Sequence, residues 1–560
     1  MADKEDEIKQ EQDIDVKKYL PVALVIVFML LGFHLRSYHM NYPVIGYHNW
    51  KETHYLTEAR NFARDGFFRH GFFIPAWDYP YRHDDPSGAH ADTFPTTSIL
   101  AALSFMIFGL ELWAARIIGI LATTACIPLM YLIVKELFKR DDMALVASFL
   151  TAINPLFVFF SHNVQLINVG ILLALTALYA FLLWKKNRVG IYLIVSFAFL
   201  SLAALTKYPF LITLIPILAV YPLKEEGFKK IKQKPTPHII SIALLALIPA
   251  WMTYIGGATE GISTAEVTYI EPWRVTTQEF WQITPSYIAD SITFIGLGIA
   301  LAGILILAID CREKIDSEKI FLWSAVFASI IFILIMARKI QHHNYHYYYI
   351  MPFALILASY AIVRLSDLTK RLRIEGKKIK YLNILAIIVL LAVIIPSSLE
   401  AKNRQYDTQF FGLDIAGEYL KAHKSPGDRL IHSSHQAYGV LWHADMKGTR
   451  GIPKNLTEFK YAEQELNATW LFIYSWDLDL MQDPDTKELW DYISDNYRLV
   501  QIAFMQQNNQ QAAPIYLLLS RGGSFDINNA SALLKDKQVK QRYYKTTKGD
   551  VRVDYIDVEQ

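Results

Sequence analysis

Two carboxylates stand at the edges of long apolar segments, where an ionised group is costly unless it has a partner or a task. Glu52 follows Trp50 and Lys51 shortly after the first apolar segment, and Asp92 comes just before Phe94 and the next one. Such a carboxylate could accept a proton from an acceptor hydroxyl or ligate a divalent metal ion. The alternatives are a surface carboxylate for Glu52 and a helix cap for Asp92.

Basic and aromatic side chains form a second group of candidates. Lys207 ends an apolar segment and precedes Tyr208 and Pro209, where proline breaks the helix. Lysine could bind a lipid phosphate there by charge-assisted hydrogen bonds, or extend its ammonium group to the membrane surface. A stretch from 338 to 349 packs two bases and three histidines among tyrosines, and its candidate ligands are Arg338, Lys339, His343, His346 and Tyr348.

The elements that must position these residues are membrane helices. Hydrophobic residues make up 53% of the 560 residues, and apolar segments near the 20 residues needed to cross a bilayer fill the chain from Leu20 to Ile395. We predict about 11 to 13 transmembrane helices. The segments are 20–35, 97–110, 113–134, 143–160, 166–184, 190–206, 209–222, 238–256, 291–309, 320–337, 347–364 and 381–397.

Basic loops predict the orientation, because short Lys- and Arg-rich loops stay in the cytoplasm. They lie at 185–188, 224–234, 311–314 and 370–380. This arrangement places the loops around 207, 256–290 and 339–347, together with the chain after Pro396, outside the cytoplasm. Twelve crossings would return the C-terminus to the side of the N-terminus, so one segment must not cross. At about 14 residues, segment 97–110 is the shortest candidate.

The regions outside the predicted spans differ from one another. Residues 1–19 mix both charges and are predicted to be a disordered cytoplasmic tail. Residues 20–397 form the membrane domain, with a large first outer loop at 37–95. Within that loop, 50–67 has an apolar face and is predicted to be a helix lying along the membrane surface. Residues 398–560 are predicted to be a soluble extracytoplasmic α/β domain.

Helical and extended patterns alternate in the C-terminal domain. Helices are predicted at 414–423 and 487–496, and strands at 430–432, 470–474, 499–504 and 515–519. A net charge of +2 argues against a nucleic-acid partner, which would need a dense basic face. The two cysteines lack the spacing of a disulfide framework or metal site.

The order of motifs resembles the membrane glycosyltransferases of the C superfamily (GT-C), and most closely family 39, the protein mannosyltransferase and aminoarabinose transferase group. The matching motifs, over about residues 20 to 365, are WKETHY at 50–55, DTFP at 92–95, FGLELWAAR at 108–116, NP at 154–155 through SH at 161–162, LTK at 205–207 and HYYYIMP at 346–352. The resemblance adds His54 and Tyr55 to the candidate substrate ligands.

In that family an acidic pair opens the first outer loop and serves as a base or organises a metal ion. The pair falls here on Lys51 and Glu52, so only one acid remains; the second acidic position matches Asp92. A third acid, expected after the Asn-Pro motif, is replaced by Gln165 and Asn168. The two acids that remain, Glu52 and Asp92, are the candidate ligands of a divalent metal, which the resemblance implies as a cofactor.

The resemblance implies transfer of a sugar from a polyprenyl-phosphate donor to a lipid, glycan or protein acceptor on the outer face of the membrane. Glu52 would take the acceptor proton, while Lys207 and the 338–346 cluster would stabilise the departing phosphate. One alternative is an oligosaccharyltransferase-like enzyme, because YSWD at 474–477 partly resembles a Trp-Trp-Asp signature. Another is a transporter, for which repeats and mid-span charges would be expected.

Overall fold

The computed structural model describes most of the chain. The described residues are 2–77, 88–90, 92–223, 227, 233–258, 270–370, 373–374, 377–378, 381–449, 451–481, 483–505, 513–526 and 534–558. Two compact units are distinguished. Unit 1 comprises residues 1–40, 91–97 and 116–404, and unit 2 comprises residues 41–90, 98–115 and 405–560.

Helices dominate unit 1. They run over Ala2–Arg36, Leu112–Phe138, Asp141–Ile153, Pro155–Ser161, Leu166–Asn187, Gly190–Thr206, Leu214–Ala219, Thr236–Ala258, Gln278–Ser291, Thr293–Asp310, Ser317–Ile335, Ala337–His342, Met351–Thr369 and Leu382–Asp407. Short 3-10 helices lie at Tyr208–Thr213, Pro272–Thr276 and Asn344–Tyr349, and a two-stranded hairpin pairs Arg373–Ile374 with Lys377–Lys378.

Eight helices of the described chain are long and apolar enough to cross a membrane, and a pair bent by 48° between Ile153 and Pro155 would make a ninth. Three shorter apolar helices, at 96–108, 190–206 and 208–219, occupy further predicted segments. All twelve predicted apolar segments are thus helical, which confirms a polytopic membrane protein. The first helix begins at Ala2, so it also includes the tail predicted to be disordered. Glu, Lys and Gln in that tail favour helix.

The loops predicted to be cytoplasmic meet at one end of unit 1. Arg140 pairs with Asp367 at 2.6 Å, and Lys186 pairs with Glu136 at 3.0 Å. Lys185 contacts Ser317. These contacts bring the 185–188 loop and the start of the 370–380 loop to the same end as the turn after Phe138. Most of the 224–234 and 370–380 loops lie outside the described residues.

Unit 2 is built on a seven-stranded mixed sheet. In sheet order its strands are Lys447–Gly448, Arg429–His432, Ala468–Tyr474, Ala513–Arg521, Tyr497–Met505, Gly549–Asp557 and Val539–Thr546. The first three are parallel and the remaining pairs antiparallel. The four predicted strands are all present. The strands Lys447–Gly448, Val539–Thr546 and Gly549–Asp557 were not predicted; the first is only two residues long, and polar residues are interspersed through the other two.

Helices cover both faces of the sheet, since apolar residues of two separate clusters pack on them. Both helices predicted for this region are present, as Leu413–His423 and Lys487–Asn496. Gly439–Ala444 and Leu456–Leu466 are additional. Unit 2 also contains the helices Asn49–Asp65 and most of Thr96–Phe108 from the membrane half of the sequence.

The helix predicted to lie along the membrane surface is instead buried within unit 2. In the helix Asn49–Asp65 the apolar residues Tyr55, Ala59 and Phe62 are buried, as expected. The polar residues Glu52 and Arg60 of the same helix are buried as well. The prediction of a surface helix was wrong because these polar groups have partners inside the protein. Arg60, for example, lies 2.6 Å from Asp445 of the C-terminal region.

Candidate functional site

One candidate site in unit 1 is formed by Asp92 and Lys207. The Lys207 ammonium group lies 3.7 Å from Oδ2 of Asp92, and Lys207 is only 8% exposed. The Tyr208 hydroxyl donates to the Asp92 carbonyl at 3.3 Å. The Phe94 amide donates to the Leu205 carbonyl at 2.7 Å, which fixes the two segments side by side.

These contacts decide between the alternatives for both residues. Lys207 directly follows the helix Gly190–Thr206, and its burial beside a carboxylate differs from that of a lysine extended to the membrane surface. Asp92 lies before the helix Thr96–Phe108 rather than at its cap position, and it faces Lys207. The pair is therefore a half-buried charged site at the end of a helix.

An apolar groove begins directly beside this site. It has a volume of about 440 Å³ and is almost entirely apolar. Its walls are Tyr208, Pro209, Leu211, Ile212, Ile215, Ile248, Met252, Ile270, Ile331, Phe332, Ile335 and Met336. Tyr208 is both a wall of the groove and the sequence neighbour of Lys207, so the groove lies next to the charged pair.

The predicted 338–349 segment also lies against this region. Tyr349 packs on Phe210 at 4.7 Å between ring centroids and on Phe332 at 5.3 Å. His346, which is buried, stacks on Tyr349 at 6.3 Å. The structure therefore brings the segment that follows Lys207 and the histidine-rich segment together.

Members of the predicted cluster differ in their surroundings. Arg338 is half-buried and pairs with Glu271 at 3.0 Å; Arg274 contacts the same carboxylate. Lys339 and His343 are half-buried, and His343 stacks on Tyr345 at 5.4 Å. Tyr348 is fully buried, and its hydroxyl donates to Oδ1 of Asn168 at 2.9 Å. Tyr348 thus links the 3-10 helix Asn344–Tyr349 to the helix Leu166–Asn187.

A second candidate site lies on the helix Asn49–Asp65 of unit 2. Glu52 is in its first turn and is 2% exposed, so the alternative of a surface carboxylate is wrong. Lys51 lies over the Trp50 ring at 4.4 Å from its centroid. Tyr55, one turn along the helix, is also buried. A buried carboxylate in a helix start is the kind of group that general-base chemistry uses.

His54, two residues after Glu52, belongs to a buried polar cluster. Its Nε2 lies 2.8 Å from Oε1 of Glu58, and Nδ1 of His90 lies 3.1 Å from the same oxygen. Ser98 donates to the other oxygen of Glu58 at 2.6 Å. Trp77 stacks on His90 at 4.4 Å, which covers one side of the cluster.

The charges of this cluster suit a metal ligand set. Burial lowers the pKa of His54 to about 4, partly opposed by Glu58, so its imidazole is neutral near pH 7. Burial alone would raise the pKa of Glu58, but His54 and His90 lower it to about 2. The ligand atoms of His54, Glu58 and His90 all lie within 4.8 Å of one another. Two imidazoles and a carboxylate are common zinc ligands.

Sequence reasoning identified His54 but missed Glu58, Ser98 and His90. The four-residue spacing of His54 and Glu58 places both on one helical face and was a usable signal. The contribution of His90 was not visible, because the turn at Ala76 and Ala89 brings it back to the helix.

The tetrapeptide 474–477 has a structural explanation. Trp476 packs on Tyr474 at 4.3 Å between ring centroids, and Asp477 pairs with Lys454 at 2.7 Å. Asp477 is 8% exposed. The residues of the tetrapeptide 474–477 that resemble an oligosaccharyltransferase signature therefore make ordinary packing and ion-pair contacts inside unit 2.

Comparison with known families finds one match. The family model described as dolichyl-phosphate-mannose-protein mannosyltransferase matches residues 89–253. This range includes Asp92, Lys207 and the first part of the apolar groove. No curated protein sequence matches the chain.

Solved structures share the architecture. The archaeal oligosaccharyltransferase AglB from Archaeoglobus fulgidus, in complex with an inhibitory peptide and a dolichol-phosphate, has a TM-score of 0.59 at 13% identity, covering 92% of this chain and 75% of AglB. ArnT from Cupriavidus metallidurans, bound to undecaprenyl phosphate, has a TM-score of 0.54 at 12% identity, covering 89% of this chain and 97% of ArnT.

These similarities confirm the predicted fold class. The chain shares its fold with AglB and ArnT, and it has many apolar helices and a C-terminal sheet domain. The matched family model names a transferase that uses a lipid-linked sugar donor, which agrees with the predicted class of enzyme.

Proposed function

We propose that this protein is a glycosyltransferase that moves a sugar from a polyprenyl-phosphate donor to an acceptor at the outer face of the membrane. The observation that carries this proposal is the half-buried Asp92 and Lys207 pair next to Tyr208, which lines an apolar groove. A lipid-linked sugar needs both features: a cation for its phosphate and an apolar channel for its tail. AglB and ArnT, which share the fold, have been solved with such lipid phosphates.

The polyprenyl tail would lie in the groove, where burial of each methylene contributes about 0.8 kcal/mol. Lys207 would then meet the phosphate at the end of the groove. Asp92 holds the ammonium group in place and keeps its charge compensated in the absence of donor. Arg338 and Arg274 would add positive charge around the site, although Glu271 already neutralises part of it.

The chemistry is a substitution at the anomeric carbon. The acceptor oxygen forms a bond to that carbon while the bond from the carbon to the lipid-phosphate oxygen breaks. The acceptor proton passes to a carboxylate, for which Glu52 is the proposed base. The released lipid phosphate carries the negative charge, and Lys207 stabilises it as it develops.

We also propose a divalent metal at His54, Glu58 and His90. Support comes from the neutral imidazole of His54, the ionised carboxylate of Glu58 and the small separation of the three ligand atoms. AglB, which shares the fold, has been crystallised in complex with Zn and sulfate. The ion would hold the helix Asn49–Asp65, here called the first-loop helix, against the segment that carries His90.

The active site and unit 2 are proposed to face away from the cytoplasm. The basic loops gather at one end of unit 1, as the contacts of Arg140 and Lys186 show. Lys207 directly follows the helix Gly190–Thr206, whose other end adjoins the basic 185–188 turn. The positive-inside rule assigns the basic end to the cytoplasm.

Purified protein incubated with radiolabelled polyprenyl-phosphate sugars would test this function. We expect release of lipid phosphate, either by transfer to acceptor or by slow hydrolysis. If no donor is consumed and liposomes containing the protein show solute flux, the transporter alternative is favoured. Consumption of a lipid-linked oligosaccharide with transfer to a peptide would instead identify an oligosaccharyltransferase-like enzyme.

A further inference from the structure

Unit 2 contains a large polar cleft that the proposed catalytic chemistry does not use. Its volume is about 860 Å³, which is in the range of small-molecule binding sites. The walls come from the helix Asn49–Asp65, the turn between Lys421 and Arg429, and the segment from Asp445 to Lys447. All of these residues belong to unit 2.

Positive charge dominates the lining. Seven lysines and arginines line the cleft against three aspartates, an excess of four positive charges. The cations are Arg60, Arg64, Arg69, Lys421, Lys424, Arg429 and Lys447, and the acids are Asp65, Asp428 and Asp445. This is a local feature, because the whole chain has a net charge of only +2.

The three aspartates are already engaged by neighbouring groups. Asp445 lies 2.6 Å from Arg60 and 2.9 Å from Arg64. Asp65 pairs with Arg69 at 2.6 Å. The negative charges of Asp445 and Asp65 are therefore paired with these arginines. The cleft as a whole keeps an excess of positive charge.

Asp428 is engaged differently, by neutral donors. Its Oδ2 accepts hydrogen bonds from the indole of Trp470 at 2.8 Å and from the Ser425 amide at 2.9 Å. These contacts fix the turn before the strand Arg429–His432. They also orient Arg429, whose guanidinium donates to the Gly427 carbonyl at 3.0 Å.

The pKa of Lys424 is affected by the same excess of positive charge. It is half-buried, and its ammonium group contacts the Asp445 carbonyl. Burial lowers the pKa of Lys424, and the charges of Arg60, Arg64 and Lys421 lower it further, although Asp445 opposes them. A bound anion would compensate these cations and restore the ordinary pKa of Lys424.

We propose that this cleft binds an anionic group, a phosphate or carboxylate, of the glycan acceptor. Arginine and lysine side chains recognise such groups by charge-assisted hydrogen bonds. The enclosed size suits a short sugar phosphate or acidic sugar better than an extended polyanion. The identification of the ligand as the acceptor rests on the proposed function, whereas the anion site itself does not.

Binding of inorganic pyrophosphate to the purified full-length chain in detergent tests the anion site. We expect saturable binding that weakens with salt. The double variant Lys421→Gln/Lys447→Gln removes two of the seven cations that line the cleft, and it should weaken binding about tenfold or more. The matched control Lys535→Gln/Lys537→Gln changes two exposed lysines outside the cleft and should bind as the unmodified chain does.

A second arm separates a soluble ligand from a lipid headgroup. Nanodiscs containing phosphatidic acid are compared with nanodiscs of phosphatidylcholine, using the same variants. Cleft-dependent binding of pyrophosphate in detergent supports the proposal. Absence of that binding, equal loss in both double variants, or cleft-dependent preference for phosphatidic acid without pyrophosphate binding would overturn it.

Donor hydrolysis distinguishes this proposal from the proposed function. The cleft variant should hydrolyse polyprenyl-phosphate sugar at the rate of the unmodified chain, while its transfer to an anionic glycan acceptor falls. If pyrophosphate binds in the cleft but no donor is consumed by any variant, the anion site stands and the glycosyltransferase proposal fails.

Discussion

Arg64 and Asp445 form a bidentate ion pair, although their positions in the chain are 381 residues apart. Nη1 and Nη2 of the arginine donate to Oδ1 and Oδ2 of the aspartate at 3.0 and 2.9 Å. Arg60, one turn earlier on the same helix, approaches the same carboxylate at 2.6 Å. Asp445 therefore anchors the first-loop helix to the C-terminal sheet domain within unit 2.

Loss of this anchor should destabilise unit 2. In Asp445→Asn the side chain keeps its shape but loses the negative charge that lies 2.6 Å from the buried guanidinium of Arg60. Because the Asp445 side chain is 27% exposed, we expect a cost on the order of 2 kcal/mol, below the range for fully buried pairs. Lower thermal unfolding temperature and faster proteolysis within 41–90 would show it.

The matched control for that change is Asp491→Asn. Asp491 lies exposed on the helix Lys487–Asn496, so its neutralisation should leave stability within about 0.5 kcal/mol. Equal stability of Asp445→Asn and Asp491→Asn would show that the ion pairs do not hold the helix in place.

The extent to which sequence predicted this arrangement depended on the range of the interactions. Apolar segments and alternating strands are local patterns, and the predicted twelve segments and four strands are present. The environment of the helix Asn49–Asp65 was wrongly predicted, because a partner such as Asp445 is remote in sequence. Likewise, Asp92 and Lys207 were each identified, but their pairing depends on the backbone contact between Phe94 and Leu205.

Lys207 should be required for donor binding. Lys207→Ala removes the cation proposed to meet the lipid phosphate and with it the ion pair to Asp92. We expect the Kd for polyprenyl phosphate to rise by about tenfold or more. Lys207→Arg keeps the charge and should retain more affinity. Unchanged affinity of Lys207→Ala, measured by binding of radiolabelled lipid phosphate, would exclude this role.

Glu58 should be required for a bound metal. Metal analysis of the purified chain is expected to find a divalent ion, most naturally zinc, that Glu58→Gln loses. Glu463→Gln serves as the control, since Glu463 is also buried but binds Tyr492 and Tyr497. A chain that is metal-free after purification and after incubation with zinc would contradict the site.

The pH dependence of metal retention follows from the pKa of His54. Because the folded-state pKa is lowered from 6.5 to about 4, protons compete for this imidazole only when the pH approaches 4. The neutral ring's contribution to stability is complete above pH 6.5 and is lost as the pH falls toward 4. Metal should therefore stay bound at about pH 5.5. Release near pH 6.5 would show an ordinary, exposed histidine.

Membrane orientation can be tested by cysteine labelling in intact cells. In a background lacking Cys126 and Cys311, Asn187→Cys should be protected from an impermeant reagent added outside. Lys537→Cys, an exposed position of unit 2, should react. The basic residues around 187 predict this outcome. Labelling of position 187 from outside would reverse the proposed orientation.

Glu52 provides the sharpest test of the proposed chemistry. A base must take the proton of the attacking acceptor hydroxyl, and Glu52 is a buried carboxylate in the first turn of the first-loop helix. Glu52→Gln preserves the size of the side chain and most of its hydrogen bonding but removes its capacity as a base. Transfer should fall on the order of 100 to 10,000-fold.

Donor binding separates this loss from misfolding, because the proposed phosphate and tail contacts are made by Lys207 and the apolar groove. Glu52→Gln should therefore bind polyprenyl phosphate with unchanged Kd, whereas Lys207→Ala binds it weakly. Asp92→Asn provides the comparison between the two carboxylates. It should weaken donor binding through Lys207, its partner at 3.7 Å. If Glu52→Gln retains full transfer activity and Asp92→Asn abolishes transfer without weakening donor binding, Asp92 is the base.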